Sequence, residues 1–408
     1  MKKYKIKPLN GYYHYKVKKI WLKRLLFLII GFSVICFGII GNRQDFGEDL
    51  KELNLERVEN KNVESIYIDG NKVEYGLYKQ KQEVRGIYIP ASKVEDYEEY
   101  IAMAKRTNVN SFVIDVKNDQ GYLTFASSNK KLVDRGCVLA SPPIEDIQKV
   151  MKRLYEEDIY PIARIVTFKD NVATEHFPGL AMKDLEGEVF ETKTGDKWLN
   201  PYNKENWEYI LEVCKEAIKV GFKEIQFDYI RFHESMTEER VQLGTDKSKS
   251  EVITEFVTYM CESLKEYGVS VSADVFGAVV MSKVDGENVG QDFNELCKHL
   301  DYICPMVYPS HYAAGTFGIE YPHIQCYDII LRSMELAQDR LMENPRDERK
   351  AQIRPWLQDF TLAGMEPYQF YGEEQIRSQI QGTYDAGIDE WLFWNASGKY
   401  TEAGLDDE

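Results

Sequence analysis

From residue 84 onward, short runs rich in β-branched and aromatic residues alternate with longer stretches whose apolar residues recur at helical spacing. The β-type runs are 84–89 (VRGIYI), 111–116 (SFVIDV), 160–166 (YPIARIV), 224–230 (EIQFDYI), 269–275 (VSVSADV), 302–308 (YICPMVY), 352–358 (QIRPWLQ) and 390–395 (EWLFWN). Between them, helix-favouring stretches fall near 94–107, 143–157, 204–220, 249–267, 291–300, 324–343 and 373–386. Such alternation predicts a parallel sheet covered by helices. Eight strands over 83–402 fit a (β/α)8 barrel, an α/β fold, better than an open doubly wound sheet, which is the alternative. Two connections, 117–142 and 167–203, are too long for simple turns. Both leave strand carboxyl ends, the face on which barrel loops build sites.

The pattern changes upstream. Residues 63–82 carry two β-prone runs around Asp69-Gly70, which predicts a β-hairpin. Residues 42–62 are polar and charge-rich and read as a stalk. Residues 25–41 (LLFLIIGFSVICFGIIG) are uncharged and mostly apolar, at the lower length limit for a spanning helix, and follow a basic tail, 1–24. The positive flank predicts a cytoplasmic amino terminus, so that the body faces outward. A cleaved signal peptide fits less well, because no small-x-small site follows the apolar run and Ser33, Val34 and Ile35 before Cys36 do not suit lipoprotein cleavage. A buried core helix would leave the one-sided charge unexplained.

Charge divides the chain in the same place. Residues 1–41 hold nine Lys or Arg and no acid, while the remaining residues hold 42 basic against 67 acidic side chains, a net −25. Such a body repels phosphate backbones, so no nucleic acid partner is expected, and a strongly polyanionic substrate would also be steered away. Neutral glycans and peptides remain open.

Acids gather at the predicted strand ends. In EIQFDYIRF, period-2 alternation puts Gln226 and Asp228 on the inward side, with Tyr229 and Arg231 just beyond to tune the acid. In VSVSADVFG, Ser272 and Asp274 share that parity, and the small Ser272 leaves space beneath the acid. Two such carboxylates on adjacent strands suit glycoside hydrolysis, about 5–5.5 Å apart for a retaining pair and about 6.5–9.5 Å for an inverting one. Asp115 shares parity with Lys117 and is open to either a positioning or a chemical role. Asp359 is a weaker fourth acid. Each could instead serve as a loop cap or half of an ion pair.

Aromatic and amide groups collect at the same ends: Tyr308 with His311, Trp356 with Gln358, Trp394 with Asn395, and Trp198 in the third long loop. Such a mixture suits sugars, which present apolar faces and hydroxyl edges, although any single Trp can equally be core. His311 is open to a substrate-donor or a structural role. No HxH, HExxH, GxSxG, Walker A or dinucleotide fingerprint is present, so neither a metal nor a cofactor is expected. The seven cysteines lack CxxC spacing and read as buried thiols, with Cys297 and Cys326 the one pairing considered.

The motifs KWLNPYN, EIQFDYIRF, SADVFG, Gly290-Gln291, YICPMVYPSHY, RPWLQDF and WNASGKY occur in this order. Over roughly 83–402 the chain therefore resembles a bacterial glycosyl hydrolase domain family, long filed as a domain of unknown function within the TIM-barrel glycosidase clan. One departure is Phe232-His233, where the family usually continues IRFP. The resemblance implies a TIM barrel with a carboxylate pair and places the strand 4 acid at Asp228; Asp274 as its partner rests on the strand pattern. The expectation is a membrane-anchored, outward-facing glycoside hydrolase acting on an extracellular or cell-wall polysaccharide. Its catalytic residues would be Asp228 and Asp274, and its substrate contacts Asp115, Lys117, Gln226, Arg231, Tyr308, His311, Trp356, Gln358, Trp394 and Asn395. The alternatives are an inactive carbohydrate-binding barrel and an envelope scaffold.

Overall fold

The computed structural model describes residues 64–68, 71–75, 83–244 and 246–406. Eight parallel strands close into a barrel: β1 (Arg85–Ile89), β2 (Ser111–Lys117), β3 (Tyr160–Val166), β4 (Glu224–Asp228), β5 (Ser270–Phe276), β6 (Tyr302–Met306), β7, in two pieces (Gln352–Ile353 and Trp356–Gln358), and β8 (Trp391–Trp394). β8 pairs with β1 and β7, and β7 pairs back to β6 through Trp356 opposite Met306, which closes the ring. Pro355, which has no N–H to give a ladder, sits where β7 is interrupted.

The outer layer is α1 (Tyr97–Ala104), α2 (Ile147–Glu156), α3 (Lys204–Val220), α4 (Lys249–Leu264), the single turn α5 (Phe293–Leu296), α6 (Cys326–Glu343) and α7 (Glu373–Asp385). After β8 a short 3-10 turn, Glu402–Gly404, stands where an eighth helix would lie. Local sequence sets these boundaries. Asn203 caps the first turn of α3 and Gly221 ends it in the left-handed region; Ser248 and Glu251 form a reciprocal cap on α4.

Two apolar cores follow from strand alternation. Residues pointing out of the barrel, such as Phe112, Ile165, Ile225, Phe227 and Ala273, pack under the helices. Residues pointing in, Val113, Ile162, Cys304, Trp356 and Leu392 among them, fill the barrel interior. The amino-terminal end of that interior is plugged by ions. Arg354 donates to Glu224 (2.8 Å) and Glu390 (2.7 Å), and its guanidinium lies 3.6 Å from the Tyr302 ring centroid. The opposite end is open and carries the acids.

Upstream, Glu64–Ile68 and Asn71–Tyr75 pair antiparallel. The expected anchor, 25–41, and stalk, 42–62, lie outside the described residues. Among the described residues no helix is long and apolar enough to cross a membrane. The six described cysteines, including Cys297 and Cys326, are free thiols, and all but Cys261 are buried.

Candidate active site

At the carboxyl end of the barrel, a cavity of about 200 Å³ is lined by residues from seven strands or their following loops. Asp228, Asp274, Arg231, Tyr308, Trp356 and Trp394, all named from sequence, share this lining with Asp119, Arg164, Tyr229, Phe276 and Met306. The two acids are neighbours because of register. Gln226 lies opposite Ser272 and Phe227 opposite Ala273, so the next step along both strands sets Asp228 beside Asp274, on backbones about 4.8 Å apart.

The two carboxyl groups have opposite settings. Arg164, buried inside β3, donates to Asp228 Oδ2 through Nε (3.0 Å) and Nη2 (2.6 Å). The Tyr229 N–H donates to Asp228 Oδ1 (2.6 Å), from a residue held at φ +51°. A non-glycine residue in the left-handed region is strained, and here the strain aims an N–H at the acid. Three of about four acceptor sites are thus filled, and the anion is fixed in place.

Asp274 has no cation of its own. Its Oδ1 accepts from the Trp356 indole Nε1 (2.7 Å), and its Oδ2 accepts nothing among the described residues. Burial, and then the Asp228 charge beside it, hold this carboxyl well above the usual carboxylate range; the Trp356 hydrogen bond and Arg164 pull the other way without prevailing. Gln291 locks the strand end by donating to Asp274 O and accepting from Phe276 N, both at 3.1 Å. Gly277 follows because a Cβ there would stand 2.6 Å from Met306 O.

Arg164 also donates to Asp115 Oδ1 (2.7 Å), and Tyr88 OH donates to Asp115 Oδ2 (2.6 Å). Burial raises the Asp115 pKa, partly offset by Arg164 and Tyr88. Asp115 is therefore a support that holds Arg164 from behind. Tyr88 stacks on Trp394 with centroids 4.0 Å apart, and Trp356 meets Trp394 edge-on at 5.7 Å. Trp356 and Trp394 line the cavity, and Tyr88 backs Trp394 from behind.

Several expected contacts lie elsewhere. Lys117 points away from the cavity, because the β2–β3 register shifts between Asp115 and Lys117 and reverses its parity. It is wholly buried under the helices, paired with Asp170 (2.8 Å) and donating to Val166 O (2.7 Å). Gln226 sits one layer below the acids, donating to Cys304 Sγ at 3.5 Å. Gln358 is spent on Ser310 and the Phe360 carbonyl, and Asn395 on the Asp359 and Lys399 carbonyls. Asp359 accepts from the Thr401 backbone and hydroxyl (2.7 and 2.9 Å) and stands outside the lining. His311 is outside it too, edge-on to Tyr308 (5.4 Å) and Phe360 (5.8 Å). Trp198 is core, behind Arg231.

Sequence reading missed Tyr88, Arg164 and Asp119, and gave Gln291 only as part of a motif, without a role. Arg164 had a signal: a lone cation in an otherwise apolar parallel strand must be paired, and its partners mark a site. Among the described residues no cluster of His, Cys, Asp and Glu could hold a metal ion.

A family model described as Putative glycosyl hydrolase domain matches residues 86–400. The chain belongs to this family. Among solved structures, a hypothetical protein from Ruminiclostridium thermocellum is 37% identical over 46% of this chain and 97% of its own, with a TM-score of 0.43. The PgaB (BpsB) glycoside hydrolase domain from Bordetella bronchiseptica is 12% identical over 80% of this chain and 100% of its own, with a TM-score of 0.54. The Bacillus cereus spore cortex-lytic enzyme SleL is 12% identical over 83% of this chain and 76% of its own, with a TM-score of 0.45. No curated protein matches the chain. Family membership supports a glycoside hydrolase-like function, and the PgaB likeness extends to the fold alone.

Proposed function

We propose that the protein is a retaining glycoside hydrolase that cleaves an extracellular or cell-wall polysaccharide with Asp228 as nucleophile and Asp274 as general acid and base. The observation that carries this reading is the pair itself: adjacent in register, lining one cavity, one carboxylate ion-paired with Arg164 and the other with its pKa raised by burial. Two carboxyls in opposite settings at the ends of adjacent strands suit the division of labour in retaining hydrolysis.

In the first step an Asp228 oxygen bonds to the anomeric carbon while the glycosidic bond breaks, and Asp274 gives its proton to the leaving oxygen. Asp274, now ionised, takes a proton from water as that water's oxygen displaces Asp228, which restores both groups. Arg164 and the Tyr229 N–H hold the Asp228 carboxylate in place. Trp394, Tyr308 and Phe276 offer apolar faces to one sugar ring, consistent with a cavity of about 200 Å³. The basic tail and apolar run at 1–41 would hold this site at the outer face of the membrane.

The test is release of reducing ends from a panel of bacterial wall and capsular polysaccharides. Wild type releases them, and Asp228→Asn and Asp274→Asn each lose at least about 100-fold while retaining the wild-type circular dichroism spectrum. Near-wild-type rates in either variant overturn the assignment. Binding by wild type without release would instead identify an inactive carbohydrate-binding barrel.

A further inference from the structure

We propose, resting on the glycoside hydrolase reading, that Arg231 is the subsite for a carboxylate carried by the sugar, so that the ring entering the cavity is a uronic acid or a similarly acid-substituted residue. Arg231 follows Asp228 by three positions, lines the cavity and is only 8% exposed. Its guanidinium is packed among three rings, with Cζ 4.2 Å from the Phe276 centroid and 5.2 Å from those of Trp198 and Tyr229. A cation set so deeply needs an anion, because burial in an apolar surround penalises the charged form.

The chain does not provide a full one. Nη1 donates to the Phe232 carbonyl (3.1 Å) and, at 3.4 Å, to Glu234, a side chain that is itself 63% exposed. Nε and Nη2 donate to nothing among the described residues. That edge of the guanidinium is the fork that grips a carboxylate through two parallel hydrogen bonds. The cavity's other cation is already committed, since Arg164 is shared by Asp115 and Asp228, with Asp119 at 3.6 Å. Arg231 is thus the cation of the cavity lining whose guanidinium keeps an unfilled edge for a ligand. The net −25 of the body disfavours densely charged polymers at long range but is screened over about 10 Å, whereas Arg231 acts in contact.

The experiment measures binding of free sugars to the full chain by saturation-transfer NMR titration, comparing D-glucuronate with D-glucose and D-galacturonate with D-galactose. Wild type should bind at least one acid about tenfold or more tightly than its neutral partner. Arg231→Gln should reduce that preference to within about twofold, and Arg231→Lys should fall between, having charge without the fork. Equal binding of acid and neutral sugar in both pairs by wild type overturns the proposal, as does a preference that survives in Arg231→Gln. No turnover is involved, so failure here leaves the hydrolytic reading intact; that reading fails separately, if wild type releases no reducing ends.

Discussion

Replacing Asp274 with Asn tests the acid's proton through stability as well as activity. A carboxyl whose folded-state pKa lies above its unfolded value of about 3.9 binds more protons folded than unfolded between those two values. Stability must therefore fall as pH rises through that window, by about 1.4 kcal/mol per pH unit, and then level off once the folded pKa is passed. Asp274 is raised in this sense, by burial and by Asp228. Asn cannot ionise, and its side-chain oxygen can still accept from Trp356 Nε1. The variant should thus escape the fall. At about 2 °C per kcal/mol for a domain of this size, its Tm should gain on wild type by roughly 3 °C per pH unit as the pH is raised from about 4.5. Any constant offset from the substitution does not alter the slope. The assay is thermal unfolding by circular dichroism in buffers at half-unit steps, alongside reducing-end release. Parallel Tm curves for the two proteins would refute the reasoning, since Asp274 would then lack the proton the leaving group needs.

Three further outcomes follow from the same contacts. Arg164→Met leaves Asp115 and Asp228 buried without their cation, at a cost of about 3–5 kcal/mol; the loss of Tm should be smaller at pH 5 than at pH 8, because Asp115, already raised by burial and no longer held down by Arg164, can then take up a proton, and equal losses would count against the network. Trp356→Phe removes the donor that stabilises ionised Asp274, so the basic limb of the kcat/KM profile should move to higher pH, and an unmoved limb would separate Asp274 from that limb. Lys117→Met breaks the buried pair with Asp170 and should cost about 3–5 kcal/mol in unfolding measurements; kcat and KM of the folded enzyme should stay at wild-type values, and a raised KM would return Lys117 to the substrate.

The barrel was legible because eight β-type runs alternate with helical ones, and a parallel sheet buried on both faces must be built that way. Asp228 and Asp274 were legible for a related reason: parity decides facing, and both runs hold their alternation to the strand end. Lys117 shows where that logic stops, since a single register shift in β2 turns it outward, and nothing in VIDVKN announces the bulge. Gln358 and Asn395 stand at strand ends as expected, yet loop backbone consumes their amides, which no one-dimensional pattern reveals. Arg164 was less legible, because strand parity turns it inward without revealing the acids on the two neighbouring strands that it joins.

The configuration of the newly released reducing end, followed by proton NMR during the first minutes of hydrolysis, tests the central claim most directly. The adjacent register of Asp228 and Asp274 predicts that the anomeric configuration of the cleaved bond is retained in the product. Inversion would require a water between the two carboxyls, and so would contradict Asp228 as the nucleophile.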